Sequence, residues 1–168
     1  SANGWAATST GTPSTDNFPL AQDIATFTNA GSVTGTITMD SAVPYTGTVD
    51  MSGRTSAMTI TNGGFAFTMY GNWINGSGVT IAGTGTITYS GRNTQTITSA
   101  GKTFTQPITI DTYGGTVELA DALSLSGAST LTVTNGTFNT AGYAVTASSF
   151  VSTSTTVRTI NWGASTLT

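Results

Sequence analysis

The sequence predicts an all-β protein, a parallel β-solenoid, on three observations. Small-polar, apolar, small-polar triplets recur at roughly ten- to thirty-residue intervals, each a short strand of a repetitive architecture. They are Thr36-Ile37-Thr38, Thr59-Ile60-Thr61, Thr86-Ile87-Thr88, Thr96-Ile97-Thr98 and Thr132-Val133-Thr134, with Thr109-Ile110 as a near relative between the last two. Ile87, Ile97, Ile108, Val117, Leu125 and Val133 follow one another at 8 to 11 residues, the spacing of successive faces around a coil. No stretch places apolar residues at helical spacing between helix caps. The alternative is an antiparallel β-sandwich or jelly roll, in which Asn62-Gly63, Asn75-Gly76 and Asn135-Gly136 would be hairpin turns. Strands of three to five residues with one or two inward side chains favour the solenoid, where Asn-Gly serves equally well at a corner.

The elements follow in order. Residues 1–22 form a Ser/Thr/Pro/Gly lead without periodicity, an N-terminal cap carrying Trp5, Pro13, Phe18, Pro19 and Leu20. Residues 23–168 form the solenoid, read as a segment of a longer chain because the sequence opens without Met and closes inside strand-like residues. Its first strands are Ile24–Thr28, Gly35–Met39, Thr48–Met51, Ala57–Thr61 and Phe65–Tyr70. Val79–Ala82, Thr86–Tyr89, Gln95–Thr98, Pro107–Asp111 and Thr116–Leu119 follow, then Leu123–Leu125, Thr130–Thr134, Tyr143–Thr146 and Val157–Asn161. Most alternate an apolar residue with Thr, Ser or another small polar residue, and β-branched Thr suits a half-exposed pleated face. Ile37, Ile60, Ile87, Ile97, Ile108, Val117, Leu125 and Val133 are the expected inward side chains.

Composition narrows the function. The 168 residues are 7% charged, against about 25% in ordinary globular domains. Patterned apolar residues and only 4 Pro argue against disorder. With no Cys and no His, there is no disulfide, thiol nucleophile, Cys/His zinc site or Ser-His-Asp triad. The net charge is −3, and Arg54, Arg92, Lys102 and Arg158 are scattered singly, so no basic patch is available for nucleic acid. No run approaches the 18 or so apolar residues of a membrane span.

Residues 114–123 read Gly-Gly-Thr-Val-Glu-Leu-Ala-Asp-Ala-Leu, and 131–143 read Leu-Thr-Val-Thr-Asn-Gly-Thr-Phe-Asn-Thr-Ala-Gly-Tyr. The two stretches resemble the GGTVxLxxxLxLxxxxxLTLTxGTFxxxGYxVT repeat of secreted bacterial and bacteriophage β-helix proteins. Gly91–Thr98 and Phe104–Ile110 are similar to the rung that precedes it, and Asp16–Asp23 resembles segments of tailed-phage structural proteins. The resemblance covers most of residues 16–150. It implies a right-handed parallel β-helix in a virion appendage such as a tail fibre, or in a bacterial surface adhesin or filament, and it brings no catalytic residues.

Candidate sites are few. Tyr70, Asn72 and Trp73 stand together before Asn75-Gly76-Ser77-Gly78, where stacking surface and polar edges could contact a glycan. The competing reading places Trp73 with Phe65, Phe67 and Met69 in the core. Among the carboxylates Asp16, Asp23, Asp40, Asp50, Asp111, Glu118 and Asp121, the tightest local group is the Asp111, Glu118 and Asp121 set, with Lys102 nearby. A lyase or glycosidase would need such groups clustered across rungs. Asp at strand ends more commonly caps turns. Asp111 and Asp121 are also weak candidates for a calcium ion, without a DxDxDG loop or nonapeptide repeat. The Thr-x-Thr rows could stack into an ice-binding face or simply keep a nearly uncharged sheet soluble. Asn75-Gly76-Ser77 and Asn135-Gly136-Thr137 match the glycosylation sequon.

The expectation is a non-enzymatic structural and adhesive rod with no cofactor, at a virion or cell surface. Its partners would be further copies or segments of the same fibre and a host-surface glycan. An ice-binding solenoid and a polysaccharide lyase or hydrolase are the other readings.

Overall fold

A computed structural model describes residues 20–29, 34–39 and 45–168. Within these, all regular structure is β, in seventeen strands. Most of the expected N-terminal cap, with Trp5, Pro13, Phe18 and Pro19, lies outside the described residues, as do Asp16 and Asp40. The chain runs β1 (Ile24–Thr26), β2 (Gly35–Thr38) and β3 (Tyr45–Thr46) round one coil, then β4 (Thr48–Asp50), β5 (Met58–Thr61) and β6 (Phe67–Met69) round the next. A third coil holds β7 (Trp73–Ile74), β8 (Val79–Ala82) and β9 (Ile87–Tyr89), and a fourth opens with β10 (Thr94–Thr98) and β11 (Thr103–Phe104). The long β12 (Ile108–Leu119) closes the fourth coil and starts the fifth, which continues through β13 (Leu123–Leu125) into the long β14 (Thr130–Asn139). β15 (Val145–Thr146) and β16 (Ser149–Val151) complete the sixth, and β17 (Arg158–Asn161) lies on top.

Every strand pairing is parallel. This is a β-solenoid of about six turns, and the sandwich alternative with its Asn-Gly hairpins is set aside. One circuit takes 19 to 24 residues, from Leu131 over Phe150 at the short end to Val49 over Trp73 at the long end. The first face stacks β1, β4, β7, β10 and the second halves of β12 and β14, ending in β17. The third face stacks β3, β6, β9 and the first halves of β12 and β14, ending in β16. The second face is split: β2-β5-β8 forms one sheet and β11-β13-β15 another, with no ladder joining β8 to β11.

The core is a set of axial columns. Ala25, Val49, Trp73, Ile97 and Leu119 follow one another in register on the first face. Phe67, Ile87, Ile108, Leu131 and Phe150 do so on the third. Seven of the eight expected inward residues are buried, and Ile37, on the lowest rung, is partly so. Alternation with the inward side chains turns the intervening Thr outward, in register with the Thr above and below.

Sequence reading missed Tyr45–Thr46, Trp73–Ile74, Thr103–Phe104 and Ser149–Val151. A strand of two or three residues holds too few positions to show a period of two. It also divided β12, which in fact turns the corner as one strand through register shifts between Ile110 and Thr116. The Asn-Gly pairs stand at corners of the solenoid, as expected of that architecture. Positive φ occurs at Gly63 (+55°) and Gly136 (+80°) but at no described Asn. Asn62 and Asn75 are buried, and their amides bond the backbone of the next coil. Gly76 is required by close approach, since a Cβ there would collide with the carbonyl oxygens of Met51 and Arg54.

Candidate functional site

Polar side chains inside the corners replace the backbone ladder where strands end. At the first-to-second corner, Trp73 Nε1 donates to Asn75 Oδ1 at 2.9 Å, and Asn75 Nδ2 donates to Ser99 O at 2.9 Å. At the second-to-third corner, Asn62 Nδ2 donates to Gly85 O at 2.7 Å, and Gln106 Nε2 donates to Ala82 O at 2.5 Å. At the third-to-first corner, Gln95 Nε2 donates to Met69 O and Gly71 O, while its Oε1 accepts from Gly91 N–H at 2.7 Å. Buried polar groups cost free energy unless bonded, so these residues are structural pegs.

The sequence trio Tyr70, Asn72 and Trp73 is separated by this architecture. Trp73 is 2% exposed, packed between Phe67 and Phe104 at ring separations of 6.2 and 5.8 Å. Its place is the core, because inward alternation on β7 aims it there, and a surface ligand does not reach it. Asn72 is half-buried, accepting from Thr96 N–H at 2.8 Å. Its NH2 end has no partner among the described residues. Tyr70 is exposed and stands beside exposed Tyr45 of the coil below, with ring centroids 5.7 Å apart and planes at 55°. Tyr45 escaped sequence reasoning, although its separation from Tyr70 is close to one circuit of the coil, the signal that would have found it.

Among the described residues the carboxylates form no group of three. Asp121 accepts from Ser99 N–H and Ala100 N–H, both at 2.7 Å, and so caps a turn in which Ala100 has φ +52°. Glu118 accepts from Asn139 Nδ2 at 2.6 Å on the first face. Asp50 accepts from Ser52, and Asp23 from Leu20 N–H. Asp111 stands apart at the third-to-first corner with no hydrogen-bond partner among the described residues. No group of three potential metal ligands occurs among the described residues, and Asp121 has both oxygens committed to backbone. The sequon at Asn75 is sealed, that side chain being 3% exposed.

Of the cations, Arg54 is buried and donates to the carbonyls of Thr28, Ser56 and Ala57. Arg158 orders the preceding loop through Ser152, Ser154 and Thr156. Arg92 is exposed at the third-to-first corner and makes no ion pair or hydrogen bond to described residues.

The second face has another character. Its outward positions are Thr36, Thr59 and Thr80 in one register row and Thr38, Thr61 and Ala82 in the next. Above the split, Thr103, Ser124 and Thr146 continue with hydroxyls. These strands bear no outward charge or aromatic ring. The third face carries a similar row, Thr68, Thr88, Thr109 and Thr132. No helix among the described residues is long and apolar enough to cross a membrane. No protein-family model, no curated protein and no solved structure matches the chain, which leaves its own geometry as the guide to what it does.

Proposed function

We propose that the chain is a structural and adhesive segment of a virion appendage, a tail fibre or related surface fibre, that works without catalysis. The observation that carries this is the stacking of parallel coils whose ladders on the first and third faces run the length of the described residues. Such a body is stiff along its axis, because on these two faces the inner rungs are bonded to both neighbours, and side chains exposed at its corners are available for recognition. The resemblance of residues 114–143 to phage and secreted bacterial β-helix repeats supports the extracellular setting. A bacterial surface adhesin or filament subunit is the neighbouring form of the same reading, with like copies as partners. Gold-labelled antibody against the purified protein, applied to virions or cells carrying its gene, is the test. Label along a projecting fibre is expected; label confined to the cell interior would refute the proposal.

The second face favours one other reading. Its in-register Thr rows set hydroxyls and methyls side by side on successive coils, the arrangement an ice-binding face requires. Against it, rows of Thr also line the third face, as expected if they serve solubility and cross-strand contact. Thermal hysteresis by the purified protein, lost in Thr59→Lys, would install the ice-binding reading in place of the fibre.

A further inference from the structure

We infer that the edge carrying Tyr45, Tyr70, Arg92, Asp111 and Tyr113 is a binding strip for an uncharged linear glycan laid parallel to the solenoid axis. The inference rests on the attachment role proposed above and names the ligand class. Four of these residues follow the third face as it turns into the first on successive coils, and Tyr45 ends the row below. Coils are spaced like adjacent strands, so Tyr70 and Tyr113, two coils apart, are separated by about 10 Å along the axis. Tyr45, Tyr70 and Tyr113 are 55%, 41% and 69% exposed, whereas Phe67, Tyr89 and Phe150 on the third face pack into the core or against it. Large exposed aromatics grouped on one edge mark contact surfaces.

The polar groups on the same edge point to the ligand's chemistry. Asp111 is the only carboxylate among the described residues without a hydrogen-bond partner. Arg92, on the coil below, is equally uncommitted. One positive and one negative group, both free, offer donors and acceptors with no net charge, which suits hydroxyls and disfavours an anionic chain. The tilted Tyr45–Tyr70 pair offers an exposed aromatic face for a sugar ring, and Thr68 and Thr88 stack above Tyr45 in the same register row. Rings present apolar faces and polar rims, the combination such a site fits.

The experiment is a printed array of neutral and acidic linear glycans probed with the purified chain, followed by calorimetry on the best neutral oligosaccharide. Binding to at least one uncharged glycan is expected, weakened tenfold or more in Tyr70→Ala and in Tyr45→Ala, and weakened in Asp111→Asn. All three side chains are at least partly exposed and bond to nothing, so melting temperatures should match the parent, and circular dichroism checks this. Absence of any neutral glycan, a preference for acidic ones, or binding that survives Tyr70→Ala would overturn the inference. Antibody label on fibres alongside an empty array would leave the fibre role standing and sink only the glycan strip.

Discussion

Single side chains hold this molecule together in two ways, by filling columns and by pegging corners. Tyr89 does the first at a cost: it is fully buried between Met69 and Ile110 in the column, and its hydroxyl has no partner among the described residues. Burial pushes its phenol above the ordinary value of 10.0, because the charged form would lose its hydration. The folded state therefore keeps a proton that the unfolded chain releases, and stability should fall as pH rises through about 10. In Tyr89→Phe that alkaline loss should shrink, and at neutral pH the protein should be as stable as the parent or about 1 kcal/mol more so, read by thermal melts at both pH values. Asn75 does the second job. Asn75→Ala leaves Trp73 Nε1–H unpaired in the core and takes from Ser99 O one of its two donors, Lys102 N–H remaining, at an expected cost of about 1–3 kcal/mol, with a shifted Trp emission as the local signature. Trp73 itself shows what sequence could not decide. Beside Tyr70 and Asn72 it reads as a binding aromatic, and only the two-residue strand beneath it sends the indole inward.

At the level of elements, strands this short have no independent stability and exist because each is bonded to a neighbouring coil. Ile97→Asp, in the middle of β10, puts an unpaired charge among Trp73, Leu119 and their neighbours. It should unfold the chain at several kcal/mol, against a typical total of about 5–15, as seen by loss of cooperative melting. Corners are as constrained as strands. Gly76→Ala should cost about 1–3 kcal/mol from the collision with Met51 and Arg54 carbonyls, whereas Gly64→Ala, with open space around it, should be neutral; paired denaturant titrations compare them. The solenoid and most of its inward residues were legible because Thr-x-Thr triplets impose alternation that survives at three or four residues. The two-residue strands, the run of β12 through its corner and the pairing of Tyr45 with Tyr70 were not, since each depends on coil length, and that varies from rung to rung. The corner Asn and Gln pegs were hidden for a related reason. An Asn before Gly signals a turn whether its side chain faces water or the next coil.

Across the whole molecule, stability should be graded along the axis and unequal around it. Coils bonded above and below on all sides exchange amide hydrogens most slowly, so β12 and β14 should be the last to exchange, and β1 among the first. The second face should depart from that gradient between β8 and β11, where side chains alone bridge: Thr105 Oγ1 donates to Gly83 O at 2.7 Å and Gln106 to Ala82 O. Amides of β8 should exchange faster than those of β7 and β9 in the same coil, and Gln106→Ala should widen the difference; hydrogen exchange resolved to short peptides measures both. The break also changes how the body answers a load. A prism with two continuous walls and one slit wall is a beam with a weak flange. Bent so that the second face is in compression, the slit closes and the beam is stiff. Bent the other way, tension falls on two side-chain bonds, and the rod yields there first, in a fixed direction set by which face is split.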